Sequence, residues 1–167
     1  GVSSYFNPVE GDLNNLFMPV MSNLILMQNQ FGLFWPEQNI NTLGAWNYKD
    51  GYVVKASALS ELADIQSTRQ ENKTVQLSEG WNLIPVLSPN DVNVGELFLE
   101  ADIKIVKEVA GWRVFWPELN INTLQSVNTG KAYYVYANAD QSINYPILPE
   151  SLNYSGEQLE AMANITP

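Results

Sequence analysis

FWPEQNINTL occupies residues 34–43 and returns as FWPELNINTL at 115–124, identical at nine of ten positions and offset by 81 residues. A recurrence of that length predicts an internal duplication. The same offset places Leu16-Phe17 on Leu97-Phe98, Pro8 on Pro89, Tyr52 on Tyr133 and Val54 on Val135. Working outward from the decapeptides divides the chain into a first repeat at 1–66, a second at 67–146 and a C-terminal tail at 147–167.

KTVQLSEGWNLIPVL (73–87) predicts two strands around a Ser-Glu-Gly turn. Its counterpart would precede residue 1, so the first repeat lacks its first strand and the chain is expected to be a piece of a longer polypeptide. Asn93 with Glu96 makes a capping-box pattern ahead of Val94, Leu97, Phe98 and Ala101, which share a helical face. Asp12 takes the same part ahead of Leu13, Leu16, Phe17 and Val20. Ile103, Ile105 and Lys107 alternate with Lys104, Val106 and Glu108, which is the period of a strand. Gly111 turns the chain into WRVFWP, where Pro117 ends the strand because it has no amide donor.

The NINTL segments are too polar for a helix and read as structured loops. Turns at Asp50-Gly51 and Asn128-Thr129-Gly130 lead into YVVKA and AYYVYA, and QSINYP (141–146) supplies a last strand. Each repeat therefore reads β-α-β-β-loop-β-β. The expected class is α+β, β-dominant, with the repeats related by a pseudo-twofold and packed face to face as two similar lobes. In the tail, Ser155 and Gln158 frame a short helix containing Leu159 and Met162.

Composition excludes several chemistries. Among 167 residues there is no cysteine and no histidine, which removes disulfides, thiolates, imidazole acid–base catalysis and His-based zinc sites. Charged residues make up 16%, against about 25% in an ordinary domain. Nineteen asparagines put neutral amides where charge would otherwise stand. Eighteen acids against eight bases give a net charge of −10, which opposes binding to nucleic acid or an anionic membrane. No apolar run approaches the roughly 18 residues of a membrane helix. GVSSYFNP has neither the basic nor the apolar region of a signal peptide, but a trimmed product would have lost one, so the residues alone leave the compartment open.

The repeated Trp35 and Trp116 read as core, because equal aromatics at equal offsets in an apolar stretch suit a hub in each repeat. Asn39, Asn41, Asn120 and Asn122 read as amides that satisfy backbone groups in a fixed loop. Where the repeats differ, Trp46 faces Val127, Tyr48 faces Thr129 and Trp112 faces Phe31. Trp46, Tyr48 and Trp112 are therefore the ligand-binding candidates, as indole or phenol faces for a sugar ring. Glu37 and Glu118 are the acids a glycosidase-like reading would use, although one in each repeat suits polar loop positions better. Neither Asn90-Asp91 nor the stretch from Asn47 to Asp50 has calcium-loop spacing, so no metal and no cofactor is expected.

GWNLIPVL, KEVAG, FWPELNINTL and GKAYYV together resemble a module of secreted, multidomain surface proteins of Bacteroidetes-type bacteria. The match runs over most of 1–146, with Gln30 standing where the second repeat has Gly111. The resemblance implies an extracellular or cell-surface setting beside other domains of the same parent chain, and it supplies no active site. The expected function is a non-catalytic scaffold or adhesion module with a glycan or a surface protein as partner. The alternative is a carbohydrate-binding module using the three candidate aromatics. Neither nucleic acid nor membrane insertion is expected.

Overall fold

A computed structural model of the chain describes residues 1–147. The helix read around Leu159 lies outside the described residues. In chain order the first half carries β1 (Phe6–Pro8), α1 (Leu13–Phe17) running into a 3-10 turn at Met18–Val20, β2 (Leu24–Gln28) and β3 (Leu33–Trp35). A 3-10 turn at Pro36–Gln38, β4 (Ile40–Asn41) and β5 (Val53–Ala56) follow. The second half carries β6 (Ser67–Arg69), β7 (Thr74–Leu77), β8 (Gly80–Pro85), β9 (Val92–Asn93), α2 (Val94–Leu97) and β10 (Ile103–Glu108). It continues with β11 (Val114–Trp116), a 3-10 turn at Pro117–Leu119, β12 (Ile121–Asn122), β13 (Ser126–Val127), β14 (Ala132–Ala137) and β15 (Gln141–Asn144). Strand dominates, as the alternating patterns require.

The helices are single turns set by their caps. The Asp12 carboxylate accepts from the Asn14 and Asn15 amides at 2.9 and 3.2 Å. The Asn93 side chain accepts from the Glu96 amide at 3.1 Å. Each helix turns one apolar side inward, with Leu13 and Phe17 in the first half and Val94 and Phe98 in the second.

Two antiparallel sheets share one strand order. The first runs β4-β3-β2-β5; the second runs β12-β11-β10-β14 and adds β8 beyond β14. Met27 pairs with Phe34 and Val54, and Val106 pairs with Phe115 and Val135. A register shift lies between Leu24 and Leu26 in β2, and another between Ile103 and Ile105 in β10. The uniform offset read from the sequence does not survive through these strands. Gln28 and Leu33 close the first hairpin, whereas Lys107 and Val114 close the second with two more residues between them. The first half recovers the difference in its longer passage from α1 to β2. The Gln30–Gly111 and Phe31–Trp112 correspondences thus fall in hairpins of unequal length.

A second departure concerns β7 and β8, which are not partners. β7 pairs with β15, whereas β8 pairs with β14. Between them the chain turns a corner clamped by Asn82, whose side chain accepts from the Ser78 amide and donates to the carbonyls of Ser78 and Gly80. That corner lets β7 and β15 roof the second sheet and bury Val75, Leu77, Ile143 and Tyr145.

Two hydrophobic clusters result. The larger includes Ile84, Val86, Val94, Phe98, Val106 and Tyr133; the smaller is Leu13, Phe17, Leu24, Met27, Phe34 and Tyr52. The N-terminal segment ties them together. Val2 and Tyr52 exchange backbone bonds at 2.8 and 2.9 Å. The buried Ser3 hydroxyl donates to the Lys131 carbonyl at 2.6 Å and accepts from the Val86 amide at 3.0 Å. β1 pairs with β6, at the start of the stretch assigned to the second repeat.

Candidate functional site

The polar residues shared by the two decapeptides act on their own backbone. Asn39 and Asn120 both end a 3-10 turn in the left-handed conformation at φ 54°, which asparagine tolerates better than other non-glycine residues. Asn41 accepts from the Gly44 amide at 2.9 Å, and Asn122 from the Gln125 amide at 2.8 Å. The Thr42 hydroxyl accepts from the Leu33 amide and the Thr123 hydroxyl from the Val114 amide, each at 2.9 Å. Beyond the decapeptides, the phenol oxygens of Tyr52 and Tyr133 accept from the amides of Asn47 and Asn128, again each at 2.9 Å. Burial pushes both phenols up, Tyr52 to about 12.

Charged groups secure the second half's loops. Asp91 accepts from the Thr129 amide and the Asn128 side chain, and these two bonds hold its carboxyl below the usual range. Glu108 receives the Arg113 fork at 3.0 and 2.5 Å, which lowers the carboxyl and raises the guanidinium. Glu37 and Glu118 sit on exposed 3-10 turns, one in each half.

The aromatic candidates fall into three different surroundings. Trp46 is half-buried against the smaller cluster, its ring 4.7 Å from Tyr52 and 6.4 Å from Phe17, with Nε1 enclosed and unbonded. Tyr48 is half-buried against the larger cluster, and Lys49 Nζ lies 5.9 Å from its ring centre. Trp112 is 80% exposed in the β10–β11 connection. Trp35 and Trp116, expected in the core, are half-buried and belong to neither cluster, although each has an enclosed, unbonded Nε1. The reason is the strand period. Phe34 and Trp35 are consecutive in β3 and cannot face the same side, and Phe34, at 1% exposure, takes the interior.

A different aromatic group stands out on the outer side of the second sheet. Register places Tyr136 opposite Trp81, Tyr134 opposite Leu83 and Lys107 opposite Tyr134. Trp81 is 53% exposed, and Tyr134 and Tyr136 meet it edge-on at 6.2 and 5.4 Å between ring centres. Lys107 Nζ lies 5.5 Å from the ring centres of both Trp81 and Tyr134, and Lys104 Nζ lies 5.8 Å from that of Tyr136. A cleft of about 150 Å³ opens at the edge of this group, between Gln28, Asn29, Gln30 and Val53 on one side and Trp81, Leu83 and Tyr134 on the other. The corresponding positions of the first sheet carry Val53, Lys55 and Gln28, paired as Gln28–Val53.

Local sequence does not mark Trp81 as the solvent side, because AYYVYA is apolar or aromatic on both sides and the one polar residue of GWNLIP, Asn82, faces inward. The signal that could have found it is Lys107, which marks a solvent side of β10 and, through the pairing, of Tyr134. Lys104, three residues away, reaches Tyr136 on that side because of the register shift between Ile103 and Ile105.

Among the described residues no group of three or more acidic side chains is placed to hold a metal ion, and no helix is long and apolar enough to cross a membrane. No protein-family model, no curated protein and no solved structure matches the chain.

Proposed function

We propose that the chain is a non-catalytic, extracellular scaffold or adhesion module of a larger surface or secreted protein, built from a duplicated β-α-β-β-loop-β-β unit whose copies are pseudo-twofold related. The observation that carries this reading is the matched use of the repeated polar residues. Asn41 and Asn122, Thr42 and Thr123, and Tyr52 and Tyr133 bind the same backbone groups of their own halves at closely similar distances. The matched strand orders and register shifts support the same origin. What was kept in both copies maintains the loops, so recognition belongs to positions that diverged. The surface setting rests on the resemblance carried by GWNLIPVL, FWPELNINTL and GKAYYV.

The test is protease shaving of intact cells that express the parent protein, followed by detection of the chain with an antibody raised against it. Release of the chain, or its recovery from the medium, is the expected result. Protection in intact cells with cleavage only after lysis would contradict the extracellular reading.

A further inference from the structure

We propose that the outer face of the β8-β14-β10 sheet binds an acidic polysaccharide, with a uronate ring lying on the Trp81 indole and its carboxylates meeting Lys104 and Lys107. This rests on the reading of the chain as an adhesion module and names the ligand class for it. Three observations converge on this face. The indole is the largest exposed flat surface of the sheet, and two edge-on tyrosines fix its orientation. An indole face packs against the C–H face of a pyranose, and such rigid aromatic anchors dominate binding at small sites.

Charge is the second observation. In a protein of net charge −10, two of its eight basic residues stand beside these rings. Among the described residues neither has a carboxylate within salt-bridge distance; the ion pairs there are Arg69–Glu71 and Arg113–Glu108. Two ammonium groups over aromatic faces, without acidic partners of their own, are complementary to an anionic ligand. The surrounding negative charge disfavours a nucleic acid, whose binding needs many phosphate contacts.

The third observation is shape. The cleft beside Trp81 holds only about 150 Å³ and is open, so it suits one ring of a polymer lying along the surface rather than an engulfed small molecule. Exposed amides of Gln28 and Gln30 stand on its far wall, where sugar hydroxyls can bond. The first sheet has Val53 and Gln28 where the second has Tyr134 and Lys107, so the aromatic platform belongs to the second half and the first half supplies the far wall of the cleft.

Affinity electrophoresis of the whole chain through gels containing polygalacturonate, its methyl ester or polyglutamate tests the proposal. Polygalacturonate is expected to retard the protein, and the methyl ester, which has the same backbone without the charge, to retard it far less. Trp81→Ala should weaken retention by about tenfold or more, as for other central aromatic anchors. Lys107→Gln should weaken it severalfold, and added salt should do the same to the wild type. Leu99→Ala, an exposed residue just after α2, should leave retention unchanged. Circular dichroism of each variant separates lost binding from lost folding, and the Lys107→Gln arm stands if Trp81→Ala misfolds. Equal retardation by polyglutamate, or retention indifferent to both Trp81→Ala and Lys107→Gln, overturns the glycan assignment in favour of an acidic peptide or diffuse charge. Passage through all three gels unretarded also overturns it, while protease shaving still decides the adhesion reading separately.

Discussion

The Tyr133 hydroxyl accepts from the Asn128 amide at 2.9 Å and donates to the Asn128 side-chain oxygen at 3.1 Å, with its ring wholly enclosed. Tyr133→Phe keeps the ring and leaves that amide without its acceptor, at an expected cost of about 1–2 kcal/mol in urea unfolding. Tyr52 does the same work for Asn47, and its phenol is raised from 10.0 to about 12 by burial. A phenol held neutral in the folded state and free to ionise when unfolded has a definite pH signature. Below pH 10 both states keep the proton and stability is unaffected. Between pH 10 and about 12 the unfolded chain releases it first, so stability falls as pH rises. Urea midpoints measured across that window should drop in the wild type and drop less in Tyr52→Phe; equal slopes would show that the phenol does not carry the effect.

At the scale of the element, the 3-10 turn and short strand of each decapeptide depend on one asparagine in the left-handed region. Asn120→Gly should preserve thermal stability closely, since glycine adopts φ 54° freely. Asn120→Val should lower stability by about 1–2 kcal/mol, because a β-branched side chain meets the backbone there. Much at this scale was legible in advance. The caps at Asp12 and Asn93, the strand in 103–108 and the backbone bonds of Asn41 and Asn122 follow from local chemistry, and the structure places them so. Ile40–Asn41 and Ile121–Asn122, read as loop, instead pair with β3 and β11 as short strands. What local chemistry cannot decide is pairing. The sequence around Ser78 reads equally as a hairpin or as a corner, and only the long-range partners β14 and β15 choose the corner. Likewise AYYVYA has aromatics on both sides, so its solvent face stayed hidden until β10 laid Lys107 beside Tyr134.

Across the whole molecule, two clusters of unequal size meet along a seam that includes Ser3, Tyr48 and Gly51. Gly51 is central to it. A Cβ there would lie 2.8 Å from the Ile84 carbonyl oxygen and 2.9 Å from the Ala132 side chain, so any side chain forces the two sheets apart. Gly51→Ala is expected to destabilise the chain by about 1–3 kcal/mol, the cost of overpacking against backbone. Gly11→Ala, whose methyl would meet its nearest neighbour at an ordinary 3.7 Å, is the control and should leave the melting temperature close to wild type. Equal shifts in both would remove Gly51 from its place at the junction. The cleft beside Trp81 adjoins this junction, since Val53 lies two residues from Gly51 and Leu83 next to Ile84.

Native-state hydrogen exchange at four loop and strand-end amides tests the matched framework most directly. Asn47 and Asn128 bond to tyrosine oxygens, and Leu33 and Val114 bond to threonine hydroxyls. If side chains common to both halves hold the loops, each pair exchanges together and at least about tenfold slower than an open chain. Exchange at open-chain rates, or protection of one member with its counterpart unprotected, would contradict the shared framework.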